Sequence, residues 1–393
     1  MRAGIKPVII FVAIVFAIFN IYKSLKNFSN PDFPYDARNI FLAGKIWLNG
    51  ENPYNDNLLK IEWNKISKQQ NLNTSRPPGF PDCGMIYPFW SIPQLFVYFM
   101  FEWSKEKIFI WILSFVLLGV ILFFSSLVFK DYGLKWWQIL LILLCFKSTI
   151  TAVSLGQPML LSIAALMAMW YFYQQDRNVL SGVLLSVAYS KISLCLPFVV
   201  FFLINKKWKL LFVSAIFPLL CAFVFYRVSG NLYIHEMLTN INKQMNLNYA
   251  GHSITAVNTN LSEVGIIFNY FLLTSYEVIE KINIAALFLI FLVLSVLYKK
   301  AFFNQYQFVS LLILCSFMFS YHLIYDCLIF LFILPFFKKI NIAFAVALPL
   351  FLPINGVFKN VYWLHFHLPV LIAVLFFYIF IKSIKNTNLQ NAI

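Results

Sequence analysis

The chain has 393 residues, 61% of them hydrophobic and only 11% charged, against about 45–50% and about 25% in ordinary soluble domains. That much apolar surface must face lipid, which excludes an ordinary soluble enzyme. The formal charge of +15 comes from 30 Lys and Arg against 15 Asp and Glu, but the basic residues gather in short runs between apolar segments (Lys206, Lys207 and Lys209; Lys299 and Lys300; Lys338 and Lys339), the pattern of cytoplasmic loops and not of a nucleic-acid partner.

The first apolar run, Val8 to Tyr22, follows Arg2 and Lys6 and has no small-residue cleavage site after it, so it reads as an uncleaved anchor. Counting it, apolar runs lie near 7–25, 86–103, 108–129, 136–155, 159–174, 178–205, 210–228, 283–298, 307–321, 323–337, 340–354 and 365–381. They predict an all-α integral membrane protein, a single helical bundle over 1–393 of about twelve spans, roughly 10–13. With the N-terminus inside, Lys105 and Lys107, Lys206 to Lys209, Lys299 and Lys300, Lys338 and Lys339, and Lys382 and Lys385 fall on one side, so both termini are expected to be cytoplasmic in a cell or inner membrane. Simple alternation puts Lys130, Lys135 and Arg177 outside, against this pattern. The break at Ser190-Lys191 allows one span or two short ones. Helix parity in 130–205 is open.

Two polar stretches, 26–85 and 229–282, are then outer loops. In the first, Ala37, Ile40, Phe41, Gly44, Trp47 and Leu48 recur at helical spacing after Asp36, which predicts an amphipathic helix lying on the membrane surface with Asp36 as its N-cap. Gly50 and Asn52-Pro53 stop it, and the polar stretch Asn55 to Gln70 suggests a second surface helix. Arg76-Pro77-Pro78-Gly79-Phe80-Pro81 forces extended or turn backbone, and Tyr87-Pro88 opens the next run.

Ionisable groups inside apolar runs are costly and mark function. Asp326, Lys147 and Lys191 have that placement, with interfacial snorkelling or structural pairing as the bland alternative. His322 and Asp326, four apart, would share one helix face with Tyr325 beside them. Such a pair can orient an imidazole for anion binding, acid–base chemistry or proton relay, or simply join two helices. His365 and His367 flank the last run with no partner at ligand spacing. The six cysteines, five of them in apolar runs, form no disulfide framework or CxxC site.

The stretch from Asp36 to Tyr54, an acid, a short helix and then Gly50-Glu51-Asn52-Pro53-Tyr54, resembles the first outer loop of glycosyltransferase family 87, membrane transferases of the GT-C type that use polyprenyl-phosphate sugars. Tyr87-Pro88, Ser154-Leu155-Gly156-Gln157, Lys191 to Pro197 and Ser320-Tyr321-His322 are similar to later motifs of that family and come in the same order. Phe89, Pro158 and Tyr321 stand where the family pattern has other residues. The resemblance implies a GT-C-like bundle and transfer of a sugar, a hexose such as mannose, to a glycan, glycolipid or protein acceptor on the outer face. Asp36 would be the general base, with Asp32 in reserve. Lys191, His322, Arg38 and Arg76 would face the donor phosphate, and Tyr54, Tyr87, Gln157, Tyr325 and Asp326 would line the substrate site. No cofactor is expected, although Asp32 and Asp36 together could hold Mg²⁺ or Mn²⁺.

Two other readings stand beside this one. A solute transporter would show internal repeats and short loops, and none are visible. A lipid-linked glycan polymerase or ligase would carry arginine-rich outer loops, whereas 229–282 has only Lys243 and Lys281 as basic residues.

Overall fold

A backbone surrounded by lipid has no water to bond and must close its hydrogen bonds within each segment. In the computed structural model every regular element among the described residues is accordingly helical. Those residues are 34–72, 85–250, 276–320, 322, 324–336 and 367–390, with scattered positions between 11 and 26. The helices are α1 (Tyr35–Leu48), α2 (Asp56–Gln69), α3 (Trp103–Val128), α4 (Trp136–Cys145), α5 (Lys147–Leu155), α6 (Met159–Gln174), α7 (Asn178–Ala188), α8 (Ile192–Ile204), α9 (Trp208–Ser229), α10 (Ile234–Ala250), α11 (Tyr276–Lys299), α12 (Gln305–Phe319) and α13 (His367–Gln390). A 3-10 helix, Ile324–Phe336, follows α12.

The expectation of about twelve spans is not met. By length and composition, four helices among the described residues are able to cross a bilayer: Trp103–Val128, Asn178–Ile204, Trp208–Ser229 and Lys281–Lys299. A fifth arises only if Trp136–Cys145 and Ser148–Leu155, which meet at 67°, are joined. The shortfall has a physical cause. The run 86–103 breaks into short turns, Ser91–Gln94 and Phe96–Tyr98, in a stretch interrupted by Pro88 and Pro93. The runs at 159–174 and 307–321 become helices of 16 and 15 residues, about 23–24 Å long against about 30 Å of hydrocarbon. The run 323–337 is the 3-10 helix, and 340–354 lies outside the described residues.

Asn178–Ile204 is itself bent. A straight helix of 27 residues would hold its ends about 40 Å apart, yet both ends meet the same surroundings. A Cβ on Gly182 would lie 2.6 Å from the Leu210 carbonyl oxygen and 2.8 Å from Val213 Cβ, so the start of α7 runs beside the start of α9. Near the end of α8, Phe202 packs 5.0 Å from Tyr173, and the Lys207 ammonium sits 5.4 Å from that same ring, a few residues before α7 begins. The bend is the 3-10 turn Tyr189–Lys191.

Two other segments double back to the same end. The α4–α6 segment leaves beside Tyr132, whose ring is 5.2 Å from Tyr306. It returns at Trp170, 5.5 Å from Tyr306, and Gln174, whose amide bonds the Tyr306 hydroxyl. In the α12 hairpin, the Ser310 hydroxyl donates to the Phe332 carbonyl (3.2 Å) and Phe317 packs on Phe330 (4.6 Å). Lys130, Lys135, Arg177, Lys206, Lys207, Lys209, Lys299 and Lys300 therefore share one end of the bundle, and Phe380 against Phe303 (5.8 Å) brings Lys382 there too. This removes the conflict at Lys130, Lys135 and Arg177.

Lys105 and Lys107 move the other way. They begin α3 at the opposite end, where Trp103 packs 5.8 Å from Trp63 and the Ser104 N–H donates to Gln70 Oε1 (3.2 Å). Because 86–103 does not cross, the parity before α3 shifts by one.

Helix α1 is not an amphipathic surface helix: ten of its 14 residues are buried. Phe99 lies flat against Gly44, where a Cβ would come within 2.2 Å of the ring. Trp47 stacks on Phe225 (5.8 Å) and donates to the Phe225 carbonyl (3.2 Å). The N-cap is Pro34, not Asp36, which falls in the first turn and complements the helix dipole. The half-buried helix is α2, capped by Asn55, which accepts from the N–H groups of Asn57 and Leu58, and it packs inward through Leu59, Trp63 and Ile66.

Single cysteines replacing Asp131, Arg177, Lys206 and Lys300 are therefore expected to react with an impermeant thiol reagent from one side of sealed vesicles, and a cysteine at Lys60 from the other. Labelling of 131 or 177 from the side of Lys60 would contradict the hairpin arrangement.

Candidate functional site

The turns of the three hairpins carry the polar residues that the sequence singles out: Gln157 in the first, Lys191 in the second, and His322 with Asp326 in the third. Each turn is held by a neighbour. Gly156 has φ +63, and a Cβ there would approach Ala37 Cβ to 2.7 Å and Pro34 Cβ to 3.0 Å. This bare backbone lets the first turn of α1, with half-buried Asp36, press against the Gly156-Gln157 turn. The buried Gln157 accepts through Oε1 from the Tyr87 hydroxyl (3.0 Å). The Tyr54 hydroxyl donates to the Tyr87 carbonyl (2.9 Å), and burial holds the Tyr54 phenol well above its ordinary range, so it stays a donor.

The segment after Tyr87 reaches the second turn. Trp90 Nε1 donates to the Tyr189 carbonyl (3.3 Å), the Ser91 hydroxyl to the Ser190 carbonyl (3.3 Å), and Gln94 Nε2 to the Ser186 carbonyl (3.1 Å). Ser190 Oγ is also 2.9 Å from Ser162 Oγ on α6. One short stretch of irregular backbone thus fixes both Tyr87 and the turn that ends in Lys191.

Lys191 Nζ lies 2.5 Å from Asp326 Oδ1, and Asp326 Oδ2 lies 3.6 Å from His322 Nδ1. The side chains of His322 and Asp326 are 0% and 1% exposed, whereas that of Lys191 keeps 14%. His322 does not share a helix with Asp326 as its spacing suggests; it stands in the link before the 3-10 helix, stacked on Phe317 (3.9 Å). Its Nε2 is 3.1 Å from both Ser316 Oγ and Ser320 Oγ. An ion pair in apolar surroundings with hydrogen-bonding neighbours can orient a cation toward an anionic group.

Other expected residues fall elsewhere. Arg38 is buried, with its guanidinium 4.7 Å from the Trp63 ring and 5.4 Å from the Tyr35 ring. Tyr325 belongs to the 3-10 helix, and its side chain lies outside the described residues, as does that of Lys147 at the start of α5. Asp32, Arg76 and His365 also lie outside them, and so does the side chain of His367. Among the described residues no three of His, Cys, Asp and Glu gather as metal ligands would.

Residues missed from sequence do much of the holding. Asn240 on α10 donates to the carbonyls of Tyr54 (2.9 Å) and Met85 (3.2 Å), tying the second polar stretch to the first. Ser91, Ser162 and Ser190 join the turns. A buried Asn or Ser in a long chain carries no sequence signal until its partner is known; only the recurrence of Ser186 and Ser190 in an apolar run hints at a polar seam.

Removing Lys191 alone takes the neutralising ammonium from the buried Asp326 carboxylate. Lys191→Met is expected to destabilise the fold by about 3 kcal/mol, and Lys191→Met with Asp326→Leu to recover most of it, read from chemical unfolding in detergent. Equal stability of the single and double variants would show that the pair is not coupled. Gly156→Ala is expected to lose at least about 1–2 kcal/mol from the left-handed backbone alone.

A family model described as glycosyltransferase family 87 matches residues 89–330, more than half of the chain. The matched stretch contains Gln157, Lys191, His322 and Asp326, while Asp36, Tyr54 and Tyr87 precede it. No curated protein and no solved structure matches the chain. With its apolar membrane helices and the three turns gathered around one buried ion pair, the chain belongs to glycosyltransferase family 87.

Proposed function

We propose that this multi-pass membrane glycosyltransferase moves a hexose, such as mannose, from a polyprenyl phosphate to an acceptor hydroxyl on the outer face of the cell membrane. The observation that carries the reading is the Lys191–Asp326–His322 cluster within the family-matched stretch: a lysine that keeps 14% side-chain exposure, paired with buried groups, which suits a role facing a phosphate. The eight basic residues at the opposite end support a cytoplasmic assignment for that end, which leaves α1, α2 and the site turns toward the outer leaflet.

The proposed reaction assigns each of these residues a part. The acceptor oxygen attacks the anomeric carbon while the bond from that carbon to the phosphate oxygen breaks, and the hydroxyl proton passes to the Asp36 carboxylate as general base. The departing polyprenyl phosphate gains negative charge, which Lys191 offsets. Asp326 and His322 act as positioning residues: they are too buried to touch the donor and hold the ammonium in place. Tyr87, half-buried, is the residue assigned to the sugar, and the buried Gln157 orients its hydroxyl. Arg38, under Trp63, supports the turn of α1 that carries Asp36.

The test is transfer from a synthetic polyprenyl-phosphate hexose by the purified protein in lipid, including slow donor hydrolysis. Asp36→Asn is expected to lower turnover by about 10²–10⁴-fold, the range for loss of a general base, with the donor KM little changed, and Lys191→Gln to lower turnover and donor affinity together. Unaltered activity in both Asp36→Asn and Asp32→Asn would remove the general-base assignment. Solute flux through proteoliposomes without transfer would favour a transporter.

A further inference from the structure

At the basic end of the bundle, far along the chain from the site residues of α1, lies a cleft of about 440 Å³ lined by Asp176, Arg177, Asn178, Val179, Leu180, Val183 and Lys209. It forms where α7 and α9 start side by side, drawn together at Gly182 against the Leu210 backbone. Its chemistry is divided. Arg177 and Lys209 bring two cations, with Lys206 and Lys207 in the adjoining turn, against the single carboxylate of Asp176. The rest of the lining is largely apolar and uncovered: Val179 is 47% and Val183 46% exposed, and Phe212, outside the lining but three residues beyond Lys209 on α9, is 73% exposed.

We infer that this cleft binds one anionic phospholipid of the surrounding bilayer, its phosphate held by Arg177 and Lys209 and an acyl chain lying along Val179, Val183 and Phe212. Three features favour this occupant. Excess positive charge calls for an anion, since two to four cations face one acid. The apolar wall continuous with the cations calls for an amphiphile; a soluble phosphate would leave it bare. The position at the ends of membrane helices places the cleft at headgroup depth, where a lipid is always present and basic side chains attract anionic headgroups. A bound lipid would also fill the wedge between α7 and α9 and so brace the hairpin that carries Lys191 at its far turn.

The experiment is native mass spectrometry of the full chain released from bilayers of equimolar phosphatidylglycerol and phosphatidylcholine. The wild type is expected to retain phosphatidylglycerol about tenfold over phosphatidylcholine, given that each basic residue near the surface contributes about a kilocalorie per mole. Arg177→Gln with Lys209→Gln is expected to abolish the preference, whereas Lys299→Gln with Lys300→Gln, at the same end but outside the cleft, leaves it intact. Val183→Trp, which fills the apolar wall without touching a charge, is expected to reduce retention as well and carries the test if the charge variant does not fold. Equal retention of both lipids by the wild type overturns the inference. So does an equal loss in the two charge variants, which would mean diffuse surface attraction, or full retention in Val183→Trp, which would mean that headgroup charge alone suffices. Sugar transfer enters none of these readouts, so the outcome is independent of the proposed reaction.

Discussion

Helices of 11 to 16 residues reach about 17–24 Å, too short for a bilayer core of about 30 Å. A helix that stops inside lipid must either leave its last carbonyls bare or turn and go back with its ends covered by protein. Here α6, α7, α8 and α12 take the second course, and much of the architecture depends on it. Their turns end inside the molecule, so α1, the short turns between 85 and 98, and the Asn240 contact are needed to cover them. The cover explains why α1 is buried although it belongs to a polar stretch of sequence.

Turning inside the molecule also creates the place where charge is tolerable. Backbone at a turn offers carbonyls and N–H groups that a continuous helix would have consumed. Trp90 and Ser91 bond such carbonyls at Tyr189 and Ser190, and the next residue is Lys191, paired with Asp326 across to the third hairpin. An ion pair taken from water gains little net stability unless its remaining bonds are met, and His322 beside Asp326 supplies one of them at the meeting point of the turns. Gly156 serves the same junction from the other side, since only a residue without Cβ admits both the left-handed backbone and the contact with Ala37.

The basic end has a complementary logic. Hairpins that leave and return on one face place every connecting loop there, so charges that look scattered along the chain converge. Lys130, Arg177, Lys206 and Lys299 are up to 169 positions apart in sequence and share one end. This convergence gathers basic charge at the end of the bundle away from α1 and the ion pair, and leaves a cationic, partly apolar cleft where α7 meets α9.

Composition by itself determined that the chain is a membrane protein, because an apolar fraction of 61% has no other solvent, and the lengths of the apolar runs made it helical. The ordered motifs from Asp36 to His322 also revealed the family, and ionisable residues in apolar runs marked Lys191 and Asp326, since charge in lipid is too expensive to be incidental. Only the tertiary structure decided which apolar runs cross. A hydropathy pattern reports that a segment is shielded from water, and lipid and protein shield equally well. For that reason 86–103 read as a span and α1 as a surface helix, when Phe99 on Gly44 and Trp47 on Phe225 bury the one against the other's surroundings. The pairing of Lys191 with Asp326, 135 positions apart, and the clamps made by Ser91, Ser190 and Asn240 were likewise invisible along the chain. Contacts of that range are fixed by where the backbone turns, and the turns are set by neighbours that only folding brings together.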